Sequence, residues 1–292
     1  MALPVDKLGT RYAALASTID PVRSLAYAAA TNDDNPAYAG GRLAPPVFGV
    51  VPTWEALGTA VADVVPGEAL MMIVHGEQDM HFHQPLVPGR SLLTTPESHS
   101  VRVGPSGTRF TVRLDSRDAD TGAPVLEQYV TVFIRGMADG ESGGPDKPDH
   151  GLPAEARGPV VGQLTMHVDD DQTFRYRDAS GDQNPIHVDE AFAKAVGLPG
   201  IIAHGLCTMA MCGRAVIETV AGGDPAALRR LAVRFSRSVF PGDDLTVTVY
   251  DLHDLGDSGA AAGRRSYGFE ATTSRGDTAV TNGRAEVGPP AT

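Results

Sequence analysis

Two decapeptides, YAAATNDDNP from Tyr27 and YRDASGDQNP from Tyr176, carry a tyrosine, an aspartate and an Asn-Pro pair at the same spacing. In that register, offset by 149 positions (27 to 176), Tyr27 meets Tyr176, Asp33 meets Asp182, Asn35 meets Asn184 and Pro36 meets Pro185. A second echo follows in the same order: FHQPLVPGRSL from Phe82 and FSRSVFPGDDL from Phe235, offset by 153 positions (82 to 235). A small loop insertion accounts for the drift. A chain that repeats itself in this way is a duplicated module. Whatever its 292 residues fold into must therefore hold the same supersecondary unit twice.

The composition around the middle agrees. Residues 136–159, GMADGESGGPDKPDHGLPAEARGP, are dense in Gly, Pro and acid, with almost nothing to bury. They separate a first module, 1–145, from a second, 146–292. Each half has long alternating β-branched segments, with a turn at Asp120 to Gly122 in the first. Each also has one helical candidate, VFGVVPTWEALGTAVADVV in the first half and HGLCTMAMCGRAVIETVAGG in the second. In the latter, Leu206, Met209, Ala210, Gly213, Val216, Ile217 and Val220 fall on one stripe. The methionines read as core, and Ala210 and Gly213 as room for a sheet to approach.

Bulk properties exclude some classes. A formal net charge of −12 speaks against a nucleic-acid or anionic-membrane surface. No segment approaches the roughly 20 apolar residues of a membrane span. The N-terminus shows no secretory pattern and the final GPPAT no targeting address that can be read; the sparse cysteines make a reducing cytoplasm the expected compartment. Cys207 and Cys212 lie five apart in a helical segment, point to different faces and are expected to stay free thiols. Neither suggests a metal or redox site.

The copies differ where chemistry is possible. His187 of the second half corresponds to Tyr38 of the first, and Gly181 to Asn32. From Asp182 to the helix-opening Gly205 is 23 positions; from Asp33 to Gly49 it is 16. Asn184 before Pro185 is a good N-cap for a helix PIHVDEAFAKAV closed by Gly197, with Asp189 and Glu190 near its positive end. Capping alone explains Asn184 and Pro185. It leaves unexplained the Gly-Asp before them and the His after. Asp182 and His187 could instead share one water, as proton acceptor and donor. Gly205, at the start of the long helix, offers either an unpaired N–H for an oxyanion or room for tight packing.

The stretch YRDASGDQNPIHVDEAFAKAVGLPGIIAHGLCTMAM resembles the signature of the (R)-specific enoyl-CoA hydratases within the MaoC-like dehydratase family. PPVFGVVP and VHGEQDMHFHQPL resemble the degenerate N-terminal repeat of its two-module members, and VRFSRSVFPGDDL their second-half strand. The resemblance implies an α+β double hot-dog fold, in which each half is a long helix wrapped by a curved antiparallel sheet. It implies reversible syn hydration of trans-2-enoyl-CoA to an (R)-3-hydroxyacyl product, without metal or cofactor. Asp182 and His187 would be catalytic, Asn184 would orient them, and the Gly205 amide would hold the thioester oxygen. Tyr176, His204 and Arg234 would line the substrate. Tyr38 in place of His187 implies one site per chain, with the first half shaping an acyl-tail tunnel. An acyl-CoA is the implied partner, and two chains could form a homodimer. The alternatives are dehydration of carrier-protein-bound 3-hydroxyacyl chains, thioester hydrolysis, or acyl-thioester binding without catalysis.

Other features stay open between two readings. Arg229, Arg230, Arg234 and Arg237 could meet CoA phosphates or form a solvated strand face. Trp54 reads as core or tunnel wall. His81 and His83 share a strand face without a third ligand, so they read as a surface or interface pair rather than a metal site.

Overall fold

The computed structural model describes residues 2–252 and 263–289; the terminal stretch read for a targeting address runs beyond them. The first half runs β1 (Leu15–Thr18), α1 (Pro21–Ala30), α2 (Pro36–Ala39), α3 (Trp54–Val64), β2 (Ile73–Phe82), β3 (Ser91–Gly104), β4 (Gly107–Asp118) and β5 (Pro124–Arg135). The second runs β6 (Arg157–His167), α4 (Gln172–Ser180), α5 (Glu190–Ala195), α6 (Gly205–Val220), β7 (Leu228–Phe235), β8 (Asp244–Leu252), β9 (Arg265–Thr273) and β10 (Thr278–Val287). The order of elements is the same twice. A single 3₁₀ turn, Pro185–His187, stands where α2 stands in the first half, and α5 is the insertion that lengthens the second.

Among the described residues the strands form one antiparallel sheet, ordered β1-β3-β4-β5-β2-β7-β10-β9-β8-β6. The halves therefore meet edge to edge at β2 and β7, which leaves no open edge at the joint. There Asp79 lies opposite Ala232, and these residues are 153 positions apart, the offset of the second echo. The two-fold relation between the repeats passes through this pair. It passes again between α1 and α4, where the Tyr27 and Tyr176 hydroxyls meet at 3.1 Å, both rings fully buried. This is the α+β double hot-dog.

Its central helix is α6. Leu206, Met209, Ala210, Gly213, Val216 and Ile217 are buried, but so are Cys207, Met211, Cys212 and Ala215, because the sheet and the 3₁₀ segment Pro46–Val50 enclose nearly the whole circumference. At Gly213 a Cβ would stand 3.1 Å from Leu231 Cδ2, so glycine lets β7 lie close. Both cysteines are free and buried.

Several local expectations need correction. The first helical candidate is two pieces, the 3₁₀ segment Pro46–Val50 and α3, broken at Pro52, whose ring removes a helix donor. PIHVDEAFAKAV is likewise split: after the 3₁₀ turn the chain leaves helical geometry, and Asp189 caps α5 by accepting from Phe192 N at 2.9 Å. Helices α1 and α4 pack on one another. The acidic connector does bury side chains. His150, Leu152 and Ala156 are buried, and the segment is strapped over the outer face of the joint. Lys147 pairs with Glu77 at 2.9 Å, His150 Nδ1 donates to Asn282 O at 2.8 Å, and Arg230 donates to Asp149 O at 2.8 Å.

Beneath that strap Arg230 forms a two-pronged pair with Asp79, at 3.0 and 2.8 Å, both side chains almost fully buried. His81 leans on the same carboxylate at 3.2 Å, while His83 is exposed. Arg229 is buried too and donates to the carbonyls of Ala226 and Leu228. Arg230 thus serves the joint and Arg229 the backbone of its own half, neither of which is a role expected for the cluster.

Candidate active site

The loop that opens the site is built by short-range geometry. α4 ends at Gly181, whose φ of 80° is left-handed; its sister Asn32 takes the same turn at 54°. Asp182 Oδ1 then accepts from Asn184 N at 3.1 Å, and Asn184 Oδ1 accepts from Ile186 N at 3.3 Å. Together these turns present Asp182 and His187 on the same side, toward the start of α6.

His187 is held by its Nδ1–H, which donates to Ile202 O at 2.8 Å, so its Nε2 carries the lone pair. Its ring stacks on His204 with centroids 3.7 Å apart and planes at 26°. His204 donates from Nε2 to Asp182 O at 3.4 Å, and Tyr176 packs behind it at 4.7 Å. A column Tyr27–Tyr176–His204–His187 thus runs from the two-fold joint to the site. Donor atoms of Asp182, His187 and His204 lie within 4.8 Å of one another. The set could hold a cation by residue type, but the in-plane lone pairs of stacked rings run side by side instead of converging on one ion.

Burial pushes the His187 pKa below its ordinary 6.5, against the pull of the Ile202 carbonyl and Asp182. Burial, with His187 beside it, lowers His204 to about 3. Both imidazoles are therefore neutral near pH 7. Asp182 remains partly exposed while His187 is 7% exposed, so an incoming molecule reaches the carboxylate and the edge of one ring.

α6 starts at Gly205, and its N-cap His204 supplies no side-chain hydrogen bond. The first-turn N–H groups and the helix dipole thus face the Asp182–His187 opening. A Cβ on Gly205 would stand 3.3 Å from the Phe235 ring, so the glycine also admits this ring.

In the first half the equivalent corner is closed. Tyr38 fills the place of His187, 3% exposed, and burial raises Asp33 to about 6.

Residues 153–255 match the MaoC like domain, and residues 41–136 match the MFE-2 hydratase 2 N-terminal domain. Enoyl-CoA hydratase ChsH3 of Mycobacterium tuberculosis is 30% identical over 246 residues, covering 79% of this chain and 77% of that protein. The chain belongs to the MaoC-like dehydratase family. The solved MaoC-like dehydratase from Phytophthora capsici superimposes with a TM-score of 0.84 at 25% identity, covering 98% of each chain. The peroxisomal hydratase-dehydrogenase-epimerase of Neurospora crassa is 32% identical over 213 residues, covering 70% of this chain. The chain spans only 23% of that relative's length.

In this MaoC-like protein the residues singled out by sequence fall in four places. Asp182, Asn184, His187, His204 and Gly205 surround one opening. Tyr176 stands behind His204, its hydroxyl engaged by Tyr27. Arg234 is exposed and one position before Phe235, so strand alternation puts it on the sheet face away from Gly205. Trp54 is 43% exposed and borders a cavity of the first half rather than joining the core.

One residue escaped the sequence reading. His75, on β2, packs edge-on against Phe235 at 5.3 Å and feels the Asp182 charge. Burial lowers its pKa to about 4, against upward pulls from Gln78 and Asp182. Its signal was an imidazole inside an otherwise apolar strand start, MMIVHG, on the repeat position of Leu228.

Proposed function

We propose that the chain catalyses the reversible syn addition of water to trans-2-enoyl-CoA, giving (R)-3-hydroxyacyl-CoA. The supporting observation is the convergence of Asp182 and His187 at the uncapped start of α6, with His187 locked as the tautomer whose Nε2 is free. A water between the two hydrogen-bonds to the carboxylate and to Nε2. As its oxygen bonds to C3, a proton passes to this pair, and electrons move from the C2–C3 double bond onto the thioester oxygen. The Gly205 N–H and the helix dipole stabilise that oxyanion. The pair returns a proton to C2 from the same face, which makes the addition syn. Asn184 holds the loop through its cap, and CoA thioesters are the partner molecules.

The test is loss of the conjugated-thioester absorbance of crotonyl-CoA on adding the protein, followed by chiral analysis of the product. An (S) product, or release of free thiol in place of hydration, overturns the assignment. The compartment is read as cytoplasmic, in keeping with two free thiols, and cell fractionation against peroxisomal markers checks it.

The pH profile should carry the mark of the buried imidazole. Protonation of His187 removes its lone pair, and burial disfavours that cation, so the acid limb of kcat/KM should lie below pH 6.5. A limb centred at or above 6.5 would place the essential base elsewhere. Stability has the same sign. His75 and His204 bind protons in the unfolded chain below about pH 6.5, but in the folded chain only near 4 and 3, so stability falls through that acid interval.

A further inference from the structure

The corner that holds Asp182 differs from its sister at two positions that fit each other. At the offset of 149, Gln172 of α4 corresponds to Arg23 of α1, and Gly181 to Asn32. In the closed corner Gln172 is fully buried. Its Nε2 donates to Ala30 O at 3.2 Å, and its Oε1 accepts from Asn32 Nδ2 at 3.4 Å. In the open corner a longer, charged side chain takes the same route. Arg23 Nε and Nη2 donate to Ala179 O, the sister of Ala30, at 3.4 and 3.3 Å. Nη2 also donates to Ser180 O at 3.0 Å, a bond that Gln172 does not reproduce among the described residues.

The missing side chain makes the room. A Cβ on Gly181 would meet Arg23 Nη2 at 3.1 Å, whereas Asn32 meets Gln172 through its amide. The arginine does nothing for its own helix, because in the first turn of α1 its charge opposes the dipole. Its benefit falls at the end of α4, where the carbonyls of residues 179 and 180 lack helical partners and attract a cation.

Asp182 follows directly. Its N–H donates to Ser180 Oγ at 3.2 Å, and its carbonyl accepts from His204. Arg23 thus secures the chain before the acid, and His204 secures it after.

We propose that Arg23 is a positioning residue for the catalytic acid. Reaching across from the first half, its guanidinium fixes the turn at Ser180 and Gly181 from which Asp182 meets the reacting water. It acts through the backbone, not on the substrate. This rests on the hydratase reading of Asp182.

The experiment measures crotonyl-CoA hydration by Arg23→Ala protein, with thermal unfolding and amide exchange at Gly181 and Asp182 alongside. kcat should fall by at least about tenfold while KM stays within about twofold, since geometry at the reacting atoms is lost and CoA contacts are not. Arg23 is exposed, so guanidinium ion at a concentration too low to denature can enter its place and should restore kcat. Ammonium ion should not. A raised KM at unchanged kcat would make Arg23 a substrate contact and overturn the proposal, and unchanged kinetics would do the same. So would a loss of kcat that guanidinium leaves in place. Gly181→Asn keeps a turn that Asn32 already adopts but should push the guanidinium aside. Its loss of kcat should therefore overlap with that of Arg23→Ala in the double variant, and fully additive losses overturn the proposal. If wild-type protein leaves crotonyl-CoA unchanged, the hydratase reading falls and amide exchange judges the clamp: faster exchange in Arg23→Ala supports it, equal rates remove it. Wild-type turnover with an unaffected kcat in the variant removes the clamp and keeps the hydratase.

Discussion

Asp182→Asn should lower kcat for crotonyl-CoA hydration by about two to four orders of magnitude and leave the fold intact. The amide keeps an Oδ1 that can accept from Asn184 N, so the turn carrying Pro185 and His187 survives. His204 bonds to the backbone carbonyl of residue 182, not to its side chain, so the ring stack also survives. What disappears is the negative charge and the capacity to take a proton from water. Initial rates by absorbance, with thermal unfolding alongside, separate chemistry from stability. A kcat within about threefold of wild type would remove Asp182 from the mechanism.

Arg230→Met should destabilise the protein by about 3–5 kcal/mol. Asp79 is 1% exposed, and its carboxylate sits below the usual range because His81 and Arg230 together outweigh the upward push of burial. Removing the guanidinium strands that charge at the joint and releases the Asp149 carbonyl of the strap. Urea unfolding measures the loss, and amide exchange in residues 149–152 should quicken. Adding Asp79→Leu to Arg230→Met should recover much of the deficit, since the penalty comes from the unpaired buried charge. A loss below about 1 kcal/mol in the single variant, as for an exposed pair, would mean that the joint does not depend on this bridge.

The comparison of linear chain and folded molecule divides by distance along the backbone. Asn184 and Pro185 announce their turn, Gly181 its left-handed backbone and Gly205 a helix start, because caps and special dihedrals involve residues a few positions apart. The two offsets, 149 and 153, disclosed the duplication because a repeated unit leaves the same side chains in the same order. The absence of an imidazole at Tyr38 already said that the halves are unequal.

Contacts that join distant strands carried no such local sign. Arg230 and Asp79 are 151 positions apart and meet because β2 and β7 share the centre of the sheet. The same closure sets Tyr27 against Tyr176, puts His204 on the face of His187, and brings His75 from the first half beside the second half's acid. The connector read as polar filler for the same reason: His150 and Leu152 become buried through the surface they cross, which only the assembled sheet supplies. Short-range stereochemistry is encoded residue by residue, whereas burial and pairing across the joint arise when the two copies come together.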